Sequence, residues 1–500
     1  MVLLLLPLAG WAQYNNKYWL FGDSAGINWT SQSMPVLFKT QLKGRGTAVS
    51  ISDSSGVLVY SGTGQNTTAS DRTETYNKYN TEISNSNNIC GEGWYHEMLL
   101  IPDPGNDSIV YLITVGVNVW NGLFYSRINY KANNDSGMVI QKNVQLQNVH
   151  AFDGLTAVQH GNGRDWWVIF KKWDGTGQTG NNLNYSYLVD PNGILTYSTQ
   201  SIGPNFSSGG GQCLFSKNGM NFIHINWRGL ISLFNFNRCT GILSNPITIE
   251  TERPGPPYPY YFSAAFSPDN SKLYVVSISP NNLPGENDTL FQYDLYAPNI
   301  AASKQIIYVY PSYETSLGNM KLAPDNRIYI TAADESASIP YPDSLFTTIN
   351  NNLSVINYPD SLGAACDFQP FSFNLGTGRT YFGLPNNPDY ELGAWVGSPC
   401  DTLTTNLTPG PSPEERGAWM QAWYNHEWDM IHVNASKLQG KKGVLRLVDI
   451  EGRIVFEKPA DIISGGYFTT EIYMNELSSG VYFVNLVTEK ETLSFKIGKF

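Results

Sequence analysis

The chain is poor in charge. Asp, Glu, Lys and Arg make up only 15% of its 500 residues, and they leave a formal net charge of −11. A nucleic-acid partner is not expected, because neutralising phosphates requires a basic face. The shortage of basic residues is uneven, since His432 to Phe500 hold 9 Lys and Arg against 8 Asp and Glu, leaving 22 against 34 elsewhere. Cysteine is also scarce. Cys90, Cys213, Cys239, Cys366 and Cys400 are too few and too scattered for a disulfide-rich scaffold, and no Cys-x-x-Cys pair offers a zinc site. The six histidines, His96, His150, His160, His224, His426 and His432, include no two at metal-ligand spacing, and no Asp-x-Asp-x-Asp-Gly calcium loop occurs. No metal or cofactor is expected. Apolar runs are short, none approaching the roughly 18 residues of a membrane span. Amphipathic helical windows are missing as well, which excludes helices as crossovers and with them a parallel α/β sheet.

What is present is turn chemistry. With 46 Gly, 28 Pro and 13% aromatic residues, the composition implies short strands and many turns. The most informative stretch is FSPDNSKLYV, Phe266 to Val275, a strand end, a turn on Pro268, Asp269 and Asn270, and a second alternating strand. LAPDNRIYI (Leu322 to Ile330) repeats it closely, LFSKNGMNFIHI (Leu214 to Ile225) keeps its sense, and weaker copies begin at Val49, Leu99 and Ala157. Pro presets one turn dihedral, and Asp, Asn and Gly tolerate the left-handed positions of a tight hairpin. Turn centres at Asp53, Asp103, Asn162, Asn218, Asp269 and Asp325 lie 50 to 59 residues apart, a period that holds one four-stranded unit. The expectation is an all-β β-propeller of seven blades, with six as the alternative. Its last blade is expected to join the chain's ends, combining strands around Tyr18 to Trp29 with strands near Phe368 to Phe382.

Flanking segments set the boundaries. Residues 1–12, an apolar run ending in the small-x-small triplet Gly10-Trp11-Ala12, read as a signal peptide cleaved before Gln13. The propeller takes residues 13–385. Residues 386–430, rich in Pro, Gly, Asn and Thr, read as a linker. A second alternating pattern over residues 431–500 fits a small antiparallel β-sandwich.

Candidate chemistry is thin. Gly175-Thr176-Gly177-Gln178-Thr179-Gly180 matches a dinucleotide-loop pattern, but a strand follows where that motif demands a helix, so it reads as a hairpin loop. His96-Glu97 and His426-Glu427 lack the second His of a zinc-protease helix, and Gly209-Gly210-Gly211 has no nucleophile elbow around it. Arg164-Asp165-Trp166-Trp167 with Trp173 could stack on sugar, yet alternating Trp on a blade strand is more readily explained as packing. Tyr258, Tyr260, Tyr261 and Phe262, in a Pro-rich stretch, form the candidate contact patch. Export permits disulfides, and two are expected, Cys213 with Cys239 within one repeat and Cys366 with Cys400 near the ring's end. No catalytic residue can be assigned.

Two resemblances add to this reading. Val448 to Val455 (VDIEGRIV), Leu477 to Val484 (LSSGVYFV) and Lys496 to Lys499 (KIGK) resemble, in order and spacing, the type A C-terminal sorting domain of proteins exported by the type IX secretion system of Bacteroidetes. The Pro-Asn-Pro opening of that family is replaced here by PGPSPEERGAWMQAW. The first 385 residues, through YWLFGDSAGINW, the FSPDNSKLYV unit, FNRCTG (Phe236 to Gly241) and GLPN (Gly383 to Asn386), resemble secreted propellers of that phylum in the wider WD-like class. The resemblance implies an inner-membrane crossing by the N-terminal signal, passage through the periplasm, and delivery to the surface or medium by the type IX machinery with loss of the tail. It also implies O-glycan acceptors among Asp-Ser and Asp-Thr pairs, including Asp23-Ser24, Asp107-Ser108 and Asp288-Thr289. The function expected is non-enzymatic binding of a protein or glycan. The alternative is a polysaccharide-active enzyme using the propeller channel.

Overall fold

A computed structural model of the chain describes residues 14–30, 35–63, 73–91, 95–116, 121–175, 180–279, 287–310, 315–337, 340–401, 419–425, 429–436, 438–462, 466, 468–475, 477–490 and 492–499. The signal-peptide segment and Leu407 to Gly417 lie outside these. The chain divides into two compact units, Met1–Trp395 and Val396–Phe500.

Among the described residues of the first unit, seven antiparallel sheets succeed one another along the chain. The first holds Tyr18–Phe21, Asp23–Asn28 and Val36–Lys43, and the second Ala48–Asp53, Gly56–Thr63 and Thr73–Asn77. Five four-stranded sheets follow, opening with Met98–Pro102, Thr156–Gln159, Gly211–Phe215, Tyr261–Phe266 and Thr315–Leu322. In the second to seventh sheets the repeated turn joins the first strand to its neighbour, as the sequence predicts. The reason is the same six times. A side-chain oxygen of Asp53, Asp103, Asn162, Asn218, Asp269 or Asp325 accepts the backbone N–H two residues on, at 2.7 to 3.0 Å, so each turn is closed by its own first residue. This is a β-propeller, with apolar clusters between successive sheets.

The ring closes differently from the sequence-based expectation. Phe368–Asn374 is the outer strand of the seventh sheet and takes no part in the first. Instead Trp19 and Trp29 of the first sheet pack against Tyr329 of the seventh, ring centroids 6.1 and 5.0 Å away. The chain then returns. Arg379 bridges Asp23, Phe382 O accepts from Asn319 N at 2.7 Å, and Asn386 N donates to Ala48 O at 2.7 Å, which sets this segment between the innermost strands of the seventh and second sheets. Leu384 packs with Trp19, Leu20 and Phe21. The two chain ends therefore do share the closing region, through isolated bridges rather than a ladder.

The return continues past the boundary drawn from composition. Asn387 Oδ1 accepts from Ser50 N at 2.8 Å, the Tyr390 hydroxyl donates to Leu100 O at 2.7 Å, and Trp395 N donates to Gly161 O at 2.8 Å. Residues 386–395 belong to the propeller and are no linker. Innermost strands leave free polar edges facing the ring's centre, and Asn side chains satisfy them.

The second unit is the expected sandwich. Trp419–Asn425, Met430–Ser436 and Phe468–Tyr473 form one sheet, and Ile454–Asp461, Lys442–Asp449, Gly480–Thr488 and Thr492–Lys499, in that spatial order, the other. Ile431, Val433, Leu445, Leu447, Val484 and Leu486 fill the space between them. The sandwich starts by Trp419, ahead of the residue 431 read from the sequence.

Both expected disulfides are absent. Cys239 and Cys400 are each disulfide-bonded, whereas Cys213 and Cys366 are buried thiols outside any disulfide, as is Cys90. Cys213 sits mid-strand on the innermost strand of the fifth sheet, opposite His224, and Cys239 lies in the turn after the third strand. Two strand spacings of about 4.8 Å each exceed the reach of a disulfide. Cys366 ends the short helix Gly363–Cys366 and faces the core around Tyr274 and Ile328.

Candidate functional site

The N-terminal ends of the innermost strands carry a ring of aromatic side chains. Tyr95, just ahead of the third sheet, meets Phe262 of the sixth at 4.6 Å and Phe382 of the return segment at 5.5 Å between ring centroids. These contacts join side chains of the third sheet, the sixth sheet and the return segment on this face. Trp227 adds to the group at 6.2 Å from Tyr95, followed by Tyr260, 6.4 Å from Trp227, and Tyr258, 6.0 Å from Tyr260. The Arg228 guanidinium lies 5.3 Å from the Tyr258 ring centre and donates to Ser207 Oγ at 2.7 Å. Trp173, Trp227, Arg228, Tyr258 and Tyr260 are all half-buried. The triple glycine explains the arrangement. A Cβ on Gly210 would stand 2.5 Å from the Trp227 ring and one on Gly209 2.9 Å from Trp173, so only bare backbone lets the two indoles lie against it.

The candidate patch is thus half right. Tyr258 and Tyr260 belong to this mouth, but Tyr261 and Phe262 are each 1% exposed. The break falls where the loop becomes the innermost strand Tyr261–Phe266, buried throughout. Tyr261 donates its hydroxyl to Glu250 Oε2 at 2.5 Å, beside a Lys304 Nζ to Glu250 Oε1 contact of 2.7 Å. Trp166 and Trp167 are core residues, as packing predicts, with Trp167 Nε1 donating to Arg238 O at 2.8 Å. Sequence reasoning missed Tyr95, Trp227, Arg228 and Phe382; the only signal available was the triple glycine, which marks a place where something large approaches the backbone.

A carboxyl pair lies beneath this mouth. Glu97 and Asp153 interact directly, and burial first, then the Glu97 charge, raises the Asp153 pKa well above the usual carboxylate range. The Thr47 hydroxyl donates to Glu97 Oε2, and Asp153 Oδ1 accepts from His96 N at 3.2 Å. Both carboxyls belong to residues with no exposed surface. Burial likewise lowers the pKa of His96 to about 3 and of His224 well below the usual value. Among the described residues no three His, Cys, Asp or Glu side chains are grouped as metal ligands. Of the glycine-rich loop, residues 176–179 lie outside the described residues, and strand Asn181–Asp190 follows it. Among the acceptor pairs, Asp107 is exposed and Ser108 half-buried, whereas Asp23, Ser24 and Asp288 are buried.

On the opposite side, at the repeated turns, a cavity of about 450 Å³ opens along the innermost strands. Lys217 and Asn326 stand at its rim, Gln212, Met320 and Lys321 in its wall, and the return segment from Leu384 to Asp389 forms one side.

The family model described as "Secretion system C-terminal sorting domain" matches residues 427–499. The chain therefore carries a type IX sorting domain, which marks it for export to the cell surface or beyond. No described helix is long and apolar enough to cross a membrane. No curated protein matches the chain by sequence. Among solved structures, a putative 6-phosphogluconolactonase from Bacteroides fragilis is similar at 10% identity and TM-score 0.43, over 68% of this chain and 90% of that one. The periplasmic gluconolactonase of Pseudomonas aeruginosa is similar at 10% identity and TM-score 0.37, over 85% and 99%. A quinonprotein alcohol dehydrogenase-like protein from Bacteroides thetaiotaomicron is similar at 11% identity and TM-score 0.39, over 69% and 74%.

Proposed function

We propose that the first unit is a non-enzymatic binding propeller that takes a protein or glycan on its aromatic mouth at the cell surface, delivered there by a cleavable tail that engages the type IX machinery. Residues 1–12 serve as the signal for the inner membrane, and the cell is a member of the Bacteroidetes. The observation that carries this reading is the burial of Glu97 and Asp153, both fully shielded. A carboxylate pair acts on a glycosidic bond only where it can flank the bond, and this pair can reach no substrate. Trp227, Tyr258 and Tyr260, by contrast, are only half-buried, with Arg228 among them, a surface suited to sugar rings or to an aromatic-anchored protein contact.

A glycan array on the purified chain, followed by a search for cleavage products of every retained glycan, tests the reading. Retention that disappears in Trp227→Ala and Tyr260→Ala, with no products formed, is the expected result. Products that vanish in Glu97→Gln would establish the polysaccharide-active alternative instead.

A further inference from the structure

The cavity on the turn side has a character unlike the aromatic mouth. Its size falls within the range of about 300 to 1,000 Å³ typical of small-molecule sites. Its inner end is polar and unsatisfied. His96 Nε2 and Asn319 Oδ1, on residues each 2% exposed, have no hydrogen-bond partner among the described residues, and both residues line the cavity. A buried polar atom left unpaired costs about 1 to 3 kcal/mol, so such a pair at the end of an open cavity points to a ligand that supplies the missing bonds.

The cations say what kind. Lys17, Lys217 and Lys321 all line the cavity, and none of the three makes an ion pair among the described residues. Lys321 Nζ donates to Asn387 O at 2.9 Å, and Lys217 Nζ to Asn326 Oδ1 at 2.8 Å. Burial lowers the Lys321 pKa to about 8, with the charge of Asp389 opposing the shift. In a chain of net charge −11, three cations without carboxylate partners on one cavity are not a by-product of composition. Asp389 and Glu391 also line the cavity, without an ion pair to any of the three lysines; Asp389 Oδ1 accepts from Asn16 Nδ2 at 3.1 Å and from Glu391 N at 2.9 Å, and Glu391 Oε2 from Asn16 N at 3.5 Å. An anion at Lys321 would provide the compensation that a buried ammonium requires.

We propose that this cavity binds a small polyhydroxylated anion, a sugar acid no larger than a disaccharide, with its carboxylate at Lys321 and hydroxyls on Asn319 Oδ1 and His96 Nε2. A hydroxyl both donates and accepts, so it satisfies the amide oxygen and either state of the ring nitrogen. Tyr95, Phe262 and Phe382 pack against one another beyond it, which favours a short ligand over a threaded polymer. The site is independent of the aromatic mouth.

Isothermal titration of the full chain with D-glucuronate and digalacturonate, using D-glucose as the uncharged control, tests this. Saturable one-site binding of a sugar acid is expected, with glucose weaker by about tenfold or more. Lys321→Met should lower the acid's affinity by about tenfold or more, and Lys142→Met on the exposed edge of the third sheet should leave it unchanged. Equal binding of glucose and both acids, no binding of either acid, or an unaffected Lys321→Met would each overturn the proposal. Should Lys321→Met not fold, two readouts remain. Asn319→Asp must weaken the acid, and raising salt from about 0.05 to about 0.5 M must weaken it in the native chain by screening; failure of either overturns the proposal as well.

Discussion

Phe382 stands edge-on to Tyr95, ring centroids 5.5 Å apart and planes at 82°, although the two lie 287 positions apart in the chain. Phe262 completes the group at 5.7 Å from Phe382. A segment that follows all seven sheets in the chain thus comes back to pack against the third and the sixth. Three aromatic rings meet on the side of the ring away from the repeated turns.

The ion pair between Arg379 and Asp23, 2.6 Å with both side chains nearly fully buried, ties that return to the first sheet. Asp23 Oδ2 also accepts from Tyr341 N at 3.1 Å. Replacing Arg379 by Met leaves a buried carboxylate without its cation and should cost about 3 to 5 kcal/mol in chemical denaturation. Deleting residues 13–30 should go further and yield an aggregating protein, because the seventh sheet loses its cover. A loss below about 1 kcal/mol in the Met variant, or a deletion that melts like the parent, would show that the ring does not depend on this closure.

Asp288 predicts a pH dependence. Its oxygens accept from Ser279 N at 2.7 Å and Leu317 N at 2.5 Å, but burial outweighs these bonds and raises its pKa from 3.8 to about 7. Between those values the folded chain holds a proton that the unfolded chain has lost. Its contribution to stability is therefore full below about pH 4 and declines as pH rises to about 7, at about 1.4 kcal/mol per pH unit. Compared with Asp288→Asn, the parent should lose relative stability across that window. Parallel pH profiles for the two proteins would refute the assignment.

Thiol chemistry separates the cysteines. Cys90, Cys213 and Cys366 are buried and outside any disulfide, and burial raises the Cys213 pKa to about 12, so none should react with an alkylating reagent in the native protein. Unfolding without reductant should expose three thiols to labelling; Cys239 and Cys400 should label only after reduction. Mass mapping that finds Cys213 in a disulfide would contradict the structure.

The sorting domain should act as a removable address. A chain ending at residue 418 keeps every described residue of the propeller and lacks the whole sandwich. It should accumulate in the periplasm as a folded protein with its ligand binding intact. Normal appearance of that truncated chain at the surface or in the medium would mean that the sandwich is an adhesive module instead.

Much of this was readable in the chain itself, because it is local. The six Asx-closed turns, the alternation of the flanking strands and the second alternating pattern of the tail depend on residues within a few positions of one another, and the structure places each where the sequence does. Tyr258 and Tyr260 were readable for the same reason, as loop residues beside prolines. Tyr261 and Phe262 were not, since nothing local tells the first residues of an innermost strand from the end of an exposed loop. Nor could composition recognise residues 386–395 as propeller. A stretch of Pro, Gly and Asn reads as a linker until the free edges that its Asn side chains satisfy are present, and those edges exist only once the ring has formed. The closure through Arg379 and Asp23 and the gathering of Lys17, Lys217 and Lys321 on one cavity join residues a hundred positions or more apart. Periodicity carries no distance between blades, so the chain alone determined the repeating unit and its exported address, while the ring decided which side chains meet at its centre.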